Sequence, residues 1–273
     1  LLNLSTHDYI MIFTNKGKVY RLKGYEIPEF SRQSKGLPIV NVLPVEKDEK
    51  ISSIIKLNVE NQEKYLILAT KQGLIKRTNL EEFENIRATG KICIKLKEND
   101  ELIGVKKTNG ESNILLASSE GRMNVFDENE IRVMGRTASG VKGINLGSAK
   151  CVSIENVNDD DNIVIVTENG YGKKTLISEY RKTKRGSKGV KALNITEKNG
   201  NIASIKKVID DSDIMIITNQ GIIIRLPLEQ VSQLGRVTQG TRLINLKSGQ
   251  KVSSVSLVQK EKESEEEIIE KNE

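Results

Sequence analysis

Residues 10–22 read IMIFTNKGKVYRL: an apolar run, then Thr, two polar residues, a glycine and a second strand-like run. The pattern returns as LILATKQGLIKRT at 66–78, ILLASSEGRMNVF at 114–126, IVIVTENGYGKKT at 163–175 and IMIITNQGIIIRL at 214–226. Each copy predicts a β-hairpin turning on glycine, which reaches positive φ without steric cost. These glycines are Gly17, Gly73, Gly121, Gly170 and Gly221, spaced 56, 48, 49 and 51 residues apart.

A second element follows each hairpin: RQSKGLPIVNVL at 32–43, IRATGKICIKL at 86–96, RTASGVKGINL at 136–146, RGSKGVKALNI at 185–195 and RVTQGTRLINL at 236–246. Its glycines are Gly36, Gly90, Gly140, Gly189 and Gly240, and an alternating strand is expected after each. A short closing strand completes every unit, at 51–55, 101–105, 151–154, 202–208 and 252–258. Four short strands in about 50 residues match one blade of a propeller-like array, in which blades bury their faces against one another. Helix is nearly absent; residues 80–86, LEEFENI, are the best candidate, with a single turn or a loop as the alternatives. Leu1 to Leu4 align with a closing strand, so the array is expected to have had at least six units. Either five blades close a ring or a seam stays open, with an edge free to pair.

The chain has 273 residues with six Tyr, four Phe and no Trp, so its core must be Ile, Leu and Val. The formal charge is +6, unevenly placed. Residues 261–273 hold seven Glu and two Lys, a charge of −5, which leaves +11 on residues 1–260. The division expected is a β domain over 1–260 and an acidic, disordered tail over 261–273. A basic body fits a polyanion partner, most simply nucleic acid, and equally a solvated lysine-rich surface. No apolar run approaches the ~18 residues of a membrane span. Cys93 and Cys151 form no paired motif, so a reduced cytosolic protein is the default.

Catalytic and metal-binding constellations are missing from the pattern. The single histidine, His7, sits in a polar turn beside Ser5 and Asp8. Asp159 to Asp161 lack calcium-loop spacing and read as a turn. No cofactor is expected.

The basic residues, by contrast, keep register. Arg32, Arg136, Arg185 and Arg236 stand four before the second glycine, and Arg87 three before. Lys35 and Lys188 precede it directly, Lys142, Lys191 and Arg242 follow by two, and Lys91 by one. Arg21, Arg77, Lys174 and Arg225 stand four after the hairpin glycine; the third copy has Val125 there, with Arg122 nearby. Shared offsets in packed blades set these charges at equivalent heights, as a track for a phosphate backbone. No recognition helix or aromatic platform is present, so the mode expected is sequence-tolerant binding of bent duplex DNA. A protein-interaction propeller is the competing reading.

Several strings carry a family resemblance: FTNKGKVYRL, YEIPEFSRQSKGLPIVNVLP at 25–44, RATGKICIKL at 87–96, DELIGVK at 100–106, MGRTASGVKGINLG at 134–147 and TENGYGKKT at 167–175. Residues 1 to about 258 resemble the C-terminal domain of bacterial DNA gyrase A. The resemblance implies an all-β pinwheel of five visible four-stranded blades, a sixth N-terminal blade being largely missing, whose blades exchange strands. It implies DNA wrapped on the perimeter, directing ATP-dependent negative supercoiling by a cytoplasmic, nucleoid-associated type IIA topoisomerase. The partners it implies are duplex DNA, the rest of gyrase A and the gyrase B protein in an A2B2 holoenzyme, with no membrane. ATP, Mg and the catalytic residues lie elsewhere in that holoenzyme. The family's Gln-Arg-Arg-Gly-Gly-Lys/Arg-Gly box is absent; Thr183 to Gly189, with Lys184, Arg185 and Lys188, is similar to a degenerate copy. The corresponding domain of topoisomerase IV is the nearest alternative, and residues 25–44 favour gyrase.

Overall fold

A computed structural model describes residues 4–31, 33–57 and 63–260. The first repeat forms β1 (Tyr9–Thr14), β2 (Lys18–Lys23) and β3 (Ile51–Leu57). The second forms β4 (Tyr65–Thr70), β5 (Leu74–Asn79), β6 (Lys91–Ile92) and β7 (Leu102–Thr108). The third forms β8 (Asn113–Ser118), β9 (Arg122–Asp127), β10 (Val141–Lys142) and β11 (Cys151–Val157). The fourth forms β12 (Asn162–Thr167), β13 (Tyr171–Leu176), β14 (Val190–Lys191) and β15 (Ile202–Lys207). The fifth forms β16 (Ser212–Thr218), β17 (Ile223–Pro227), β18 (Thr241–Arg242) and β19 (Val252–Gln259). Helix among the described residues is confined to 3₁₀ turns, and Leu80–Phe83 is one of them.

Each hairpin pairs its first strand with the closing strand of its own repeat and, in the first four blades, its second strand with a two-residue strand from a later repeat. The sheet orders are β3-β1-β2-β6, β10-β5-β4-β7, β11-β8-β9-β14 and β15-β12-β13-β18, and the fifth is β17-β16-β19. All ladders within the sheets are antiparallel. The strand expected after each second glycine is only two residues long in the second to fifth repeats, and after Gly36 it is absent: Ile39–Asn41 form a 3₁₀ turn there, because no preceding described hairpin takes up this segment. Cys93 and Ile94 both donate their N–H groups to the Gly17 carbonyl, and Ala192 and Leu193 do the same to Gly121. The closing strands β3, β7, β11, β15 and β19 contact one another in series and line the inside. Glu155 of β11 lies there between Lys106 of β7, at 2.6 Å, and Lys206 of β15, at 3.7 Å. The donated strands take the opposite, outer edge of each blade.

The core lies between blades because the first hairpin strand is apolar on both faces and alternates between them. Leu66 and Leu68 pack with Met11 and Phe13 of the preceding blade, whereas Ile67 and Ala69 pack with Ile114 and Leu116 of the following one. Leu115 and Ala117 then meet Ile163 and Ile165, and Val164 and Val166 meet Ile214 and Ile216. Each such large side chain contributes roughly 1.5–3 kcal/mol on full burial. Every blade carries a register shift at the same place, just before Thr14, Thr70, Thr167 and Thr218 and at Cys151 opposite Ser118. The threonine has a reason to be there: Thr70, Thr167 and Thr218 accept through Oγ1 from the N–H following the hairpin glycine, at 3.2, 3.2 and 3.1 Å.

Candidate nucleic-acid interface

The second-glycine element forms the outer edge, and its arginines act on their neighbours in a repeated way. The Arg136 guanidinium donates to the Ile92 carbonyl at 2.5 Å, Arg185 to Lys142 at 2.6 Å and Arg236 to Lys191 at 3.0 Å. Each acceptor is the last residue of the strand donated by the preceding repeat. The backbone N–H groups of the same arginines bind Glu82, Glu130 and Glu179 at 2.7, 2.8 and 2.9 Å. Arg185 adds Nε to the Glu130 carbonyl. These three side chains are half-buried staples between repeats, and at least three of the five guanidinium donors on each are left over. Shared offsets among these arginines thus have a structural cause besides any role in binding. The sequence signal for it is the glutamate standing 54–57 residues before each arginine.

Above the staples sit the exposed cations. Arg87, Lys142, Lys184, Lys188 and Lys191 are exposed or half-exposed, and Lys91 is half-exposed beside Ile92. Lys191 leans on Asn194 Oδ1 at 2.8 Å. Arg122 is exposed and donates to the Lys188 and Gly189 carbonyls, holding that turn against β9. Arg242 is exposed, donates to the Tyr171 hydroxyl at 2.9 Å and, with Lys198, lies over the Tyr171 ring. Together with Lys247 and Lys251 they line a basic cleft between the fourth and fifth blades. Backbone bonds link one outer turn to the next: Lys95 N–H to Ala138, Asn145 to Ser187 and Asn194 to Thr238. Lys35 is exposed in the first repeat, and Arg32 lies outside the described residues.

The set four residues after the hairpin glycine goes elsewhere. Arg77 is buried, paired with Glu128 at 3.7 Å and with Asn129 at 2.9 Å. Arg21 stacks 3.8 Å over the Tyr9 ring and donates to the Glu84 carbonyl. Arg225 pairs with Asp213 at 2.6 Å, and Lys174 is half-buried where its backbone joins Ser232 and Gln233. The structure brings Arg21, Arg77 and Lys174 to blade-to-blade joints, leaves Arg225 exposed and paired within its own hairpin on the last blade, and places the cations around the second glycines of the later repeats on the outer edge.

A further pair of cations shares an offset from the hairpin glycine. Lys76 and Lys173 stand three residues after their hairpin glycines and are fully buried. Lys76 Nζ donates to the carbonyls of Cys93 and Arg136, with Gly135 O at 3.4 Å. Lys173 Nζ donates to Gly235 O at 2.8 Å and Arg236 O at 2.7 Å. Burial pulls both ammonium groups down to about 8. It pushes the free thiols of Cys93 and Cys151 up to about 12.

His7 is half-exposed or more, and the Asp8 carboxylate beside it pairs with Lys56 and accepts from the Ser5 N–H. Among the described residues no three His, Cys, Asp or Glu side chains come together as a metal site, and no helix is long and apolar enough to cross a membrane.

Known proteins share this architecture. The family described as "DNA gyrase C-terminal domain, beta-propeller" matches at residues 8–58, 64–109, 112–158, 161–209 and 212–259, one match per repeat. The DNA gyrase A protein of Staphylococcus epidermidis is 49% identical over 265 residues, covering 96% of this chain and 30% of that protein. The Staphylococcus aureus counterpart is 48% identical over 269 residues, with 97% and 30% covered. The chain therefore spans about a third of the length of these relatives. Among solved structures, a topoisomerase IV C-terminal domain superimposes with a TM-score of 0.83 at 28% identity, covering 93% of this chain and 80% of that one. A gyrase A C-terminal domain gives 0.79 at 26% identity, with 93% and 83% covered. The expected all-β propeller-like architecture is present, and the chain belongs to the DNA gyrase C-terminal domain, β-propeller family.

Proposed function

We propose that this chain binds and bends duplex DNA along its outer edge and works as the non-catalytic DNA-wrapping domain of a gyrase A protein. The observation that carries the reading is the outer strand of each filled blade. It comes from a later repeat, it is the outermost strand, and it bears an exposed or half-exposed cation in all four cases: Lys91, Lys142, Lys191 and Arg242. Lys184, Lys188, Arg122 and Arg87 thicken the stripe, and the staples Arg136, Arg185 and Arg236 present their leftover donors beside it. Backbone contacts from such a stripe are indifferent to sequence. Bending of a 20–30 bp site costs on the order of 1–6 kcal/mol and is offset by the additional phosphate contacts a curved path permits.

Negative supercoiling, the use of ATP and Mg, assembly with gyrase B as A2B2 and a cytoplasmic, nucleoid-associated location belong on this reading to the parent enzyme. The catalytic residues belong to that enzyme's other domains. The 49% identity to a gyrase A protein supports gyrase. The TM-score of 0.83 to a topoisomerase IV domain supports a second reading, in which DNA is bent without a full wrap. Ligation of nicked plasmid with bound protein separates them: a gyrase-type wrap shifts the topoisomer distribution in one direction, and simple bending leaves it centred.

The test of DNA binding itself is the triple charge reversal Lys142→Glu, Lys191→Glu, Arg242→Glu, measured over a salt series. The wild-type slope of log K against log salt is expected to be steeper than about −3.5, from four or more neutralised phosphates. The variant is expected to lose about 100-fold or more in affinity, equally for unrelated sequences. A flat salt response in the wild type, or a sequence-selective loss in the variant, overturns the reading.

A further inference from the structure

A buried lysine with carbonyl partners and no paired carboxylate is unusual, since an uncompensated ion is strongly disfavoured away from water. Here it occurs twice at one position of the repeat. The third repeat puts Asn124 in that position, also fully buried. Asn124 Nδ2 reaches the Gly143 carbonyl at 3.0 Å and the Lys184 carbonyl at 3.2 Å. Gly143 is the counterpart of Cys93, and Lys184 precedes Arg185 as Gly135 precedes Arg136. A neutral amide therefore makes the same bridge from the donated strand to the turn of the next repeat. Geometry alone does not require a charge, and at two of the joints a charge is there.

We propose that Lys76 and Lys173 are positioning residues for the DNA track, each holding the Gly-Arg turn of the next repeat from beneath as an ammonium, so that DNA binding is linked to proton uptake. The inference rests on the DNA-binding reading above. The turns in question are Gly135-Arg136 and Gly235-Arg236, whose arginines staple the outer edge. A phosphate backbone passing over such a turn lies within reach of the buried charge, which solvent screens far less than a surface one.

The groups facing each ammonium are few. Lys76 faces the Glu82 carboxylate, which favours its charge, the Arg136 guanidinium, which opposes it, and the Cys93 thiol, which stays neutral through this pH range. Lys173 meets Glu179, which favours the charge, and Arg236, which opposes it. Desolvation outweighs both and leaves the two lysines titrating at about 8 in the free protein. DNA adds negative potential and favours the charged form, so its affinity must fall as pH rises through that range; by linkage, DNA raises the pH at which the lysines lose their protons.

The experiment compares the wild-type protein with Lys76→Asn/Lys173→Asn, the residue the third repeat already uses. Affinity for a long duplex is measured at fixed salt from about pH 7.0 to 9.5, and lysine side-chain titration is followed by NMR without DNA. The wild type is expected to lose about fivefold or more in affinity between about pH 7.5 and 9, with two lysines titrating near 8. The double variant is expected to bind with a nearly flat profile, and each single variant to show about half the logarithmic change. Parallel profiles in wild type and variant overturn the lysine assignment alone, because a purely structural role lowers affinity equally at every pH. Failure of the wild type to bind DNA at about pH 7.5 overturns the reading beneath it.

Discussion

Four blade-to-blade joints are filled by a neighbouring repeat and the two ends of the array have no such neighbour, although all are made from the same repeat; the free face of the first blade, with Ile10, Ile12 and Tyr20, is closed by its own Leu43. In the filled joints the residue two after the hairpin glycine is covered: Val19, Ile75 and Met123 are each 0% exposed, and the fourth joint has the buried Gly172 there. In the fifth blade the same position, Ile223, is 57% exposed. On the donor side, the residue four after the second glycine is buried as Ile94, Ile144, Leu193 and Ile244, whereas Val40 of the first repeat is 56% exposed. The glycines agree. A Cβ on Gly121 would stand 2.7 Å from the Leu193 carbonyl and one on Gly189 2.2 Å from the Met123 carbonyl, whereas Gly221 and Gly36 have nothing within 4 Å. Met215 and Ile217, on the outward face of β16, are only half-buried. The repeat is therefore not the folding unit. A blade is completed by its neighbour, and stability accrues through nearest-neighbour interfaces, as in other repeat arrays.

That difference is most sharply broken by placing a charge at equivalent positions. Ile75→Asp puts an unpaired carboxylate in a closed joint and is expected to cost about 4 kcal/mol or more, or to prevent folding. Ile223→Asp, on the open edge, is expected to stay within about 0.5 kcal/mol of the parent. Urea unfolding of the two variants checks this, and equal losses would mean that the fifth blade is covered in solution.

The two classes of glycine give a finer version. Gly189→Ala forces the Met123 carbonyl away and is expected to cost about 3 kcal/mol or more, combining backbone strain at φ +67 with the clash. Gly36→Ala has the same sign of φ, +70, and open space, so only the left-handed backbone term of about 1–2 kcal/mol remains. Equal losses in thermal or urea unfolding would contradict the assignment of Gly189 to a packed joint.

Legibility in the sequence follows the same division. Spacing of the hairpin glycines is enough for the blade count, and two-faced apolar runs such as LILA at 66–69 are enough for burial on both sides. What the pattern does not reveal is partnership between repeats. The two-residue strand at Lys91–Ile92 belongs to the sheet of the first hairpin, across a separation no local period encodes. The same blindness hides the arginine staples, whose register in the sequence looks like a DNA signature alone. Arg77 reads as a surface cation because nothing nearby in sequence announces Glu128 as its partner. Lys76 and Lys173 escape for a simpler reason: lysine is almost never fully buried, so composition argues against the position they occupy.

Those two lysines provide the last and smallest test, because they distinguish the second and fourth blades from the third, where Asn124 serves. In the folded chain each titrates at about 8, whereas the unfolded chain holds the same proton until about 10.5. Between these values the unfolded state binds more protons, so stability must rise with pH, by on the order of 1 kcal/mol per pH unit per lysine. Below about pH 8 both states are protonated and the contribution of these groups is constant. The expected outcome is that urea midpoints of the wild type, measured relative to Lys76→Asn/Lys173→Asn, increase from about pH 8 to pH 10 and are level from about pH 6 to pH 7.5. DNA affinity is expected to move in the opposite direction over the same interval. Opposite signs from one titration separate a charge buried against the fold's own preference from one that merely fills space, and a relative stability flat across about pH 8–10 would remove the buried ammonium from the account.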